Sequence, residues 1–112
     1  MLRPIFDRSL SSPSKVYLCG TLESRVVAFG SLTVKENLWP EGHVGYIDEL
    51  VVDSAHRGDG AGAAILNQLV STARDLNCCK VELDCALFRT EAHQFYGQNG
   101  FSKRCYVFCK EF

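Results

Sequence analysis

The sequence predicts one α/β domain built on a mixed β-sheet, with the element order β-β-β-α-β-α-β. Three observations carry that expectation. β-Branched and aromatic runs fill the first half and are separated by turn residues. At Ala61 the apolar spacing switches to a helical period and keeps it to Leu76. A strand pattern then resumes at Lys80, and strand, helix, strand in that order is the right-handed crossover that makes two strands parallel neighbours.

The first element follows an irregular N-terminal segment, residues 1–14, whose Ser-Leu-Ser-Ser-Pro-Ser run reads as a loop. Residues 15–112 are expected to form the folded domain. Val16 to Gly20 and Val26 to Val34 are strand-like, with Glu23-Ser24-Arg25 turning between them as an antiparallel hairpin. Trp39-Pro40-Glu41-Gly42 punctuates the next connection. His43 to Asp53 is a third strand whose end, Leu50-Val51-Val52, is continuously apolar, as suits a strand covered on both faces.

Ile65, Leu66, Leu69, Val70, Ala73 and Leu76 make one apolar helical stripe, with Asn67, Gln68, Ser71, Arg74 and Asp75 facing away. Asn77 suits the helix end, and Val81 and Leu83 lie in the strand that runs to Cys85. Thr90 to Gln98 reads as a second helix, with Thr90 as N-cap and Gly100 as the left-handed residue beyond its end. Ser102 to Phe112 alternates as a final strand, placing Cys105, Val107 and Cys109 on one face.

Composition narrows the function. The chain has 112 residues, 46% of them apolar, and a net charge of −1 at pH 7. That is one globular domain with no basic surplus for nucleic acid or an anionic membrane surface. No apolar run reaches the roughly 20 residues of a spanning helix, and the N-terminus lacks a signal-peptide core; a cytoplasmic protein is expected. The six cysteines have no Cys-x-x-Cys pair and no His at zinc-finger distance. Reduced, buried cysteines and no metal site are the expectation.

Chemistry concentrates in Arg57-Gly58-Asp59-Gly60-Ala61-Gly62. Closely spaced glycines let a ligand approach the backbone, and the turn leads into a helix whose first N–H groups have no intrahelical partner. This suits an anion such as a phosphate, with Arg57 adding charge. A turn that merely packs a helix on a strand is the competing reading of the same glycines. Neither a P-loop nor a dinucleotide fingerprint fits.

Arg-x-x-Gly-x-Gly at Arg57, Gly60 and Gly62, directly after Leu50-Val51-Val52-Asp53, resembles the acyl-CoA signature of the GNAT N-acetyltransferases. Ala92-His93-Gln94-Phe95-Tyr96-Gly97-Gln98-Asn99-Gly100-Phe101 resembles that superfamily's second hallmark. The resemblance runs from about Val16 to Phe112. It implies that the backbone of Leu50, Val51 and Val52 holds the pantetheine arm of acetyl-CoA where that strand splays from its parallel neighbour at a bulge. It further implies that the amides from Gly58 through Asp59, Gly60 and Ala61 to Gly62 hold the pyrophosphate, and that Tyr96 protonates the departing thiolate.

Glu49 is the candidate base for the acceptor amine. Asp48 beside it is expected on the opposite face by alternation. His93 is expected to be an exposed helical histidine, and His43 and His56 are assigned nothing. Arg89 stands near a position where many relatives carry Asn, and could reach a phosphate. The superfamily's initial strand and two helices, which wall the acceptor side, are not evident in the sequence.

From Gly45 onward the chain is similar to aminoalkylphosphonate acetyltransferases. Asn77 to Cys85 resembles the corresponding strand of glucosamine-6-phosphate acetyltransferases. A small, anionic primary amine is therefore the expected acceptor. Protein or peptide N-acetylation and a non-catalytic acyl-CoA-binding module are the alternatives. A homo-oligomer, such as a homodimer through the last strand, is expected from the apolar Tyr106, Val107 and Phe108.

Overall fold

The computed structural model describes residues 3–8, 14–36 and 42–112. Five strands form one mixed sheet in sequence order: β1 (Arg3–Arg8), β2 (Lys15–Leu22), β3 (Arg25–Glu36), β4 (His43–Val52) and β5 (Cys78–Leu83). β1 to β4 are antiparallel to their neighbours, and β4 and β5 are parallel. α1 (Ala61–Asp75) makes the crossover between β4 and β5, and α2 (Thr90–Gln98) follows β5. The mixed α/β architecture agrees with the expectation.

Two elements differ from it. The expected irregular start contains β1, which pairs with β2 from Arg3↔Thr21 to Arg8↔Val16. Pro4 is tolerated because β1 is an edge strand, where a missing N–H breaks no ladder on the open side. Six residues connect β1 to β2. The expected last strand is absent: Ser102 to Phe112 has no strand structure. Its alternation is real, but no strand lies beside it, and an isolated extended segment has nothing to bond. The Trp39-Pro40 connection falls outside the described residues.

The β2–β3 hairpin turns on Glu23 (φ 51°) and Ser24 (φ 66°), a two-residue turn with both φ positive that matches the strands' twist. The core lies between the sheet and α1. Val16, Leu18, Ala28, Leu32 and Ile47 come from the strands, and Ile65, Leu66, Leu69 and Ala73 from the helix stripe. Thr72, also buried, donates its hydroxyl to the Gln68 carbonyl at 2.8 Å, so burial leaves no orphan donor. α1 ends at Asn77 in the left-handed conformation (φ 64°), with the Asn77 amide bonded to the Arg74 carbonyl.

All six cysteines are free, and none is buried: Cys79, Cys105 and Cys109 are exposed, the others intermediate. The expectation of burial fails because Cys78 and Cys79 lie on the edge strand β5, Cys85 follows it, Cys105 and Cys109 lie in the exposed last segment, and Cys19 alternates with the core residue Leu18.

Gly45 sets the height of α1 over the sheet. A Cβ there would lie 3.2 Å from the Ala73 Cβ and 3.2 Å from Leu32 Cδ1. The Ala73 contact is to a backbone-fixed atom that cannot swing aside. Gly45→Val is expected to destabilise the fold by about 1–3 kcal/mol through overpacking, read as a lower urea midpoint at unchanged m-value. An unchanged midpoint would show that the helix does not rest on this glycine.

Candidate functional site

β4 keeps its antiparallel partner along its whole length but loses its parallel one halfway. The β3 ladder runs from Glu36↔His43 to Ala28↔Val52, whereas the β5 ladder stops at Ile47↔Leu83. From Asp48 to Val52, therefore, one edge of β4 is bonded to β3 and the other has no strand beside it among the described residues. Five residues of strand edge present about 16 Å of backbone donors and acceptors.

A bulge shapes this stretch. Ser31 pairs with Glu49 and Leu32 with Ile47, so Asp48 is the extra residue. Ile47 is buried against α1, and Leu50 and Val52 pack on the same core cluster. Since Ile47 and Leu50 face one side, Asp48 and Glu49 both lie toward the other. This corrects the expectation that alternation separates them; the bulge cancels one step of the alternation.

On that open face Thr33 Oγ1 donates to Asp48 Oδ2 at 2.5 Å. Glu49 is exposed and has no ion pair among the described residues. Across the ladder from it, Ser31 is 3% exposed and its hydroxyl has no hydrogen-bond partner among the described residues. The Asp84 carboxylate, just past the last β4–β5 pair, stands near the Tyr46 phenol. Burial, and then that carboxylate, push the Tyr46 phenol up to about 12. The Lys35 ammonium sits 4.2 Å from the Tyr46 ring centre. Tyr46 thus stands next to the point where the two strands part. Nothing in the sequence marked Tyr46, Asp84 or Ser31, because their roles depend on where the ladder ends.

The turn after β4 is built from a single 3-10 turn, Ser54–His56, and the glycines. Gly58 (φ 86°) and Gly60 (φ 84°) hold left-handed conformations that side chains rarely adopt. Gly60 caps α1 without a side-chain bond, and the helix's first backbone bond runs from the Ala64 amide to the Gly60 carbonyl at 3.0 Å. The amides of Ala61, Gly62 and Ala63 precede it and have no partner within the helix. A Cβ at Gly58 or Gly60 would meet nothing within 4 Å, so the space beside them is open. Arg57 is exposed next to them. His56 Nδ1 lies 3.4 Å from Asp59 Oδ2, a contact within the turn for a histidine with no expected role.

Gly62 does a different job. A Cβ there would come 3.3 Å from Phe95 Cζ and 3.6 Å from Val52 Cγ2. Its lack of a side chain lets α2 dock against the start of α1 and the end of β4. The packing reading of the glycines therefore holds at Gly62, while Gly58 and Gly60 leave open space beside the turn.

α2 is closed at both ends by local bonds. Thr90 is its first residue, not its cap; Arg89 occupies the cap position with no side-chain bond. The Ala86 carbonyl accepts from the Arg89 amide at 3.0 Å and bonds His93 Nε2 at 2.7 Å. His93, half-buried, holds this loop instead of lying free on the helix surface. At the far end Phe101 N–H bonds the Tyr96 carbonyl and Gly100 N–H the Gly97 carbonyl, with Gly100 at φ 90°. That is a Schellman ending, and its usual apolar contact is the Tyr96–Phe101 pair, ring centres 5.8 Å apart.

This ending fixes Tyr96, which also packs edge-on to Phe95 at 5.3 Å. Desolvation, followed by the nearby Cys85, raises the Tyr96 phenol above its ordinary value, and Arg89 partly offsets this. Tyr96 packs toward the α1 side of the sheet and Glu49 projects from the other, with the open edge of β4 between them.

The Acetyltransferase (GNAT) family model matches residues 2–101. The chain is 39% identical over 83 residues to a probable glucosamine 6-phosphate N-acetyltransferase 2 of Oryza sativa subsp. japonica, covering 73% of this chain and 48% of that protein. It is 30% identical over 105 residues to an aminoalkylphosphonate N-acetyltransferase of Salmonella typhimurium, covering 94% and 68%. The crystal structure of glucosamine-6-phosphate N-acetyltransferase from Arabidopsis thaliana superposes with a TM-score of 0.79 at 28% identity, covering 88% of this chain and 67% of that one. The chain spans about half the length of the rice relatives it matches, 48% and 47%. A strand-bulge-turn-helix unit with this family match, relatives and fold identifies the chain as a member of the GNAT acetyltransferase family.

Proposed function

We propose that this chain is a cytoplasmic, homo-oligomeric N-acetyltransferase that moves an acetyl group from acetyl-CoA to the primary amine of a small anionic molecule. The observation that carries the reading is the open edge of β4 from Asp48 to Val52, ending beside the start of α1, whose leading amides have no partner within the helix. A pantetheine arm carries two amides and can lie along Leu50, Val51 and Val52 as a strand would. The free N–H groups of Ala61 and Gly62, the exposed backbone of Gly58, Asp59 and Gly60, and the Arg57 charge suit a pyrophosphate. Arg89, exposed at the head of α2, is a second cation within reach of the cofactor.

The reaction places its two proton transfers on opposite sides of the sheet. Glu49 accepts the proton of the acceptor ammonium, directly or through a water, so that nitrogen presents a lone pair. That nitrogen bonds the thioester carbonyl carbon, and the carbon–sulfur bond breaks. Tyr96 then gives its proton to the departing thiolate, a role its raised pKa supports by keeping the phenol protonated at neutral pH. Asp48 is the less suitable base because Thr33 already occupies it. The names of the rice and Salmonella relatives motivate the acceptor class, an amine bearing a phosphate or phosphonate. A non-catalytic acyl-CoA module is the second reading, motivated by the partial span of those relatives.

Acetyl-CoA at about 100 times its Kd is expected to stabilise the fold by roughly 2.7 kcal/mol, seen as a higher melting temperature. Gly60→Val should abolish that shift; a retained shift would remove the turn from the cofactor site, and no shift in the wild type would defeat the cofactor reading. Tyr96→Phe is expected to lower kcat by about 100-fold at unchanged acetyl-CoA affinity. Since Tyr96 acts protonated and burial pushes its phenol above the ordinary value, the loss of wild-type activity on its alkaline side is expected beyond the ordinary tyrosine range. Unchanged turnover in the variant, followed by free-thiol release with a panel of amines, would exclude Tyr96 as the acid. Absence of turnover in the wild type with every amine would favour the binding module.

A further inference from the structure

Asp59 is out of place in a turn suited to an anion. From Ser54 to Arg74 it is the only carboxylate, and it lies two residues before Ala61, where α1 begins. A carboxylate at that point is attracted by the N–H groups of the helix's first turn that have no partner within the helix. Those are the groups a phosphate would use. Asp59 is therefore a competitor for the site, tethered inside it.

The structure holds that carboxylate elsewhere. Asp59 Oδ2 lies 3.4 Å from His56 Nδ1, and the Asp59 N–H donates to the His56 carbonyl at 3.3 Å. His56 is itself fixed: its N–H donates to the Asp53 carbonyl at 2.8 Å, and its side chain is only 25% exposed. The Asp59 side chain, at 63%, is free to swing. Gly60 caps α1 without a side-chain bond, and among the described residues no hydrogen bond joins the Asp59 carboxylate to an α1 amide. A free-swinging acid is thus engaged by a fixed histidine three residues back in the turn.

We propose that His56 is a positioning residue for the cofactor. It holds the Asp59 carboxylate off the first turn of α1 and so leaves those amides to the diphosphate of CoA. This role rests on the acyl-CoA reading of the turn and adds a residue that reading does not use. His56 touches no reacting group and acts through Asp59.

The test is calorimetric binding of CoA to the full chain and to His56→Ala, Asp59→Ala and the double variant. His56→Ala releases Asp59 onto the helix and is expected to weaken CoA binding about threefold to tenfold. Its melting temperature without ligand should stay level or rise, because the released carboxylate caps α1. A histidine that merely supports the turn would lower both, and that result would overturn the proposal. Asp59→Ala removes the competitor and a negative charge, and is expected to tighten CoA binding by about twofold or more. Adding His56→Ala to it should then cost nothing further.

Unchanged CoA affinity in His56→Ala would overturn the proposal. So would an equal loss from His56→Ala in the Asp59→Ala background, since His56 would then act without Asp59. Dephospho-CoA keeps the diphosphate and lacks the ribose phosphate, so it should show the same pattern. A pattern lost with dephospho-CoA would place the competition at the ribose phosphate and overturn the diphosphate assignment. A wild type that binds no CoA would instead defeat the acyl-CoA reading on which the role rests.

Discussion

β4 cannot satisfy two neighbours along its whole length, and most of the molecule's character follows from how that conflict is resolved. Its antiparallel pairing with β3 continues through a bulge at Asp48, while its parallel pairing with β5 ends at Ile47↔Leu83. The bulge keeps Leu50 and Val52 in the core after the extra residue has been absorbed. It also turns Asp48 and Glu49 together toward the open face. Tyr46 and the Asp84 carboxylate face each other near the point where the two strands separate. An unpaired backbone edge is thereby held inside an otherwise regular sheet.

Glycines let the rest of the fold close around that edge, each by a different physical route. Gly45 removes the side chain that would hold α1 off the sheet, and Gly62 removes the one that would hold Phe95 off α1. Gly58 and Gly60 supply positive φ where the chain must turn from strand to helix. Because α1 both covers the core and presents its unpaired N–H groups beside β4, substitutions in its apolar stripe are coupled to the site. The Schellman ending of α2 then positions Tyr96 on the same side, through backbone bonds and the Phe101 ring.

Much of this was legible in the chain because local rules and tertiary structure agree. The stripe from Ile65 to Leu76 marks α1, and Gly100-Phe101 marks the end of α2. Glycines at 58 and 60 announce a turn that only they can make. The bulge was hidden, since Asp48-Glu49 reads as ordinary alternation until Ile47 and Leu50 are known to share the core. β1 was hidden by Pro4 and its charged neighbours, which only an edge position excuses. Ser102–Phe112 misled in the other direction: its alternation is a true strand pattern, but a strand is a property of a pair, and among the described residues no strand lies beside it. His93 and Gly62 show that a residue inside a family motif can have a packing or loop-holding task.

The central claim is that the open edge of β4 and the first turn of α1 together form the acyl-CoA site. Amide hydrogen exchange with and without CoA tests it most directly, because both parts of the proposed site are made of backbone N–H groups. The account predicts slower exchange at amides within residues 48–52 and 58–63 when CoA is present, with the β1–β2 ladder unaffected. Unchanged exchange in both stretches at saturating CoA, or protection confined to another part of the sheet, would contradict it.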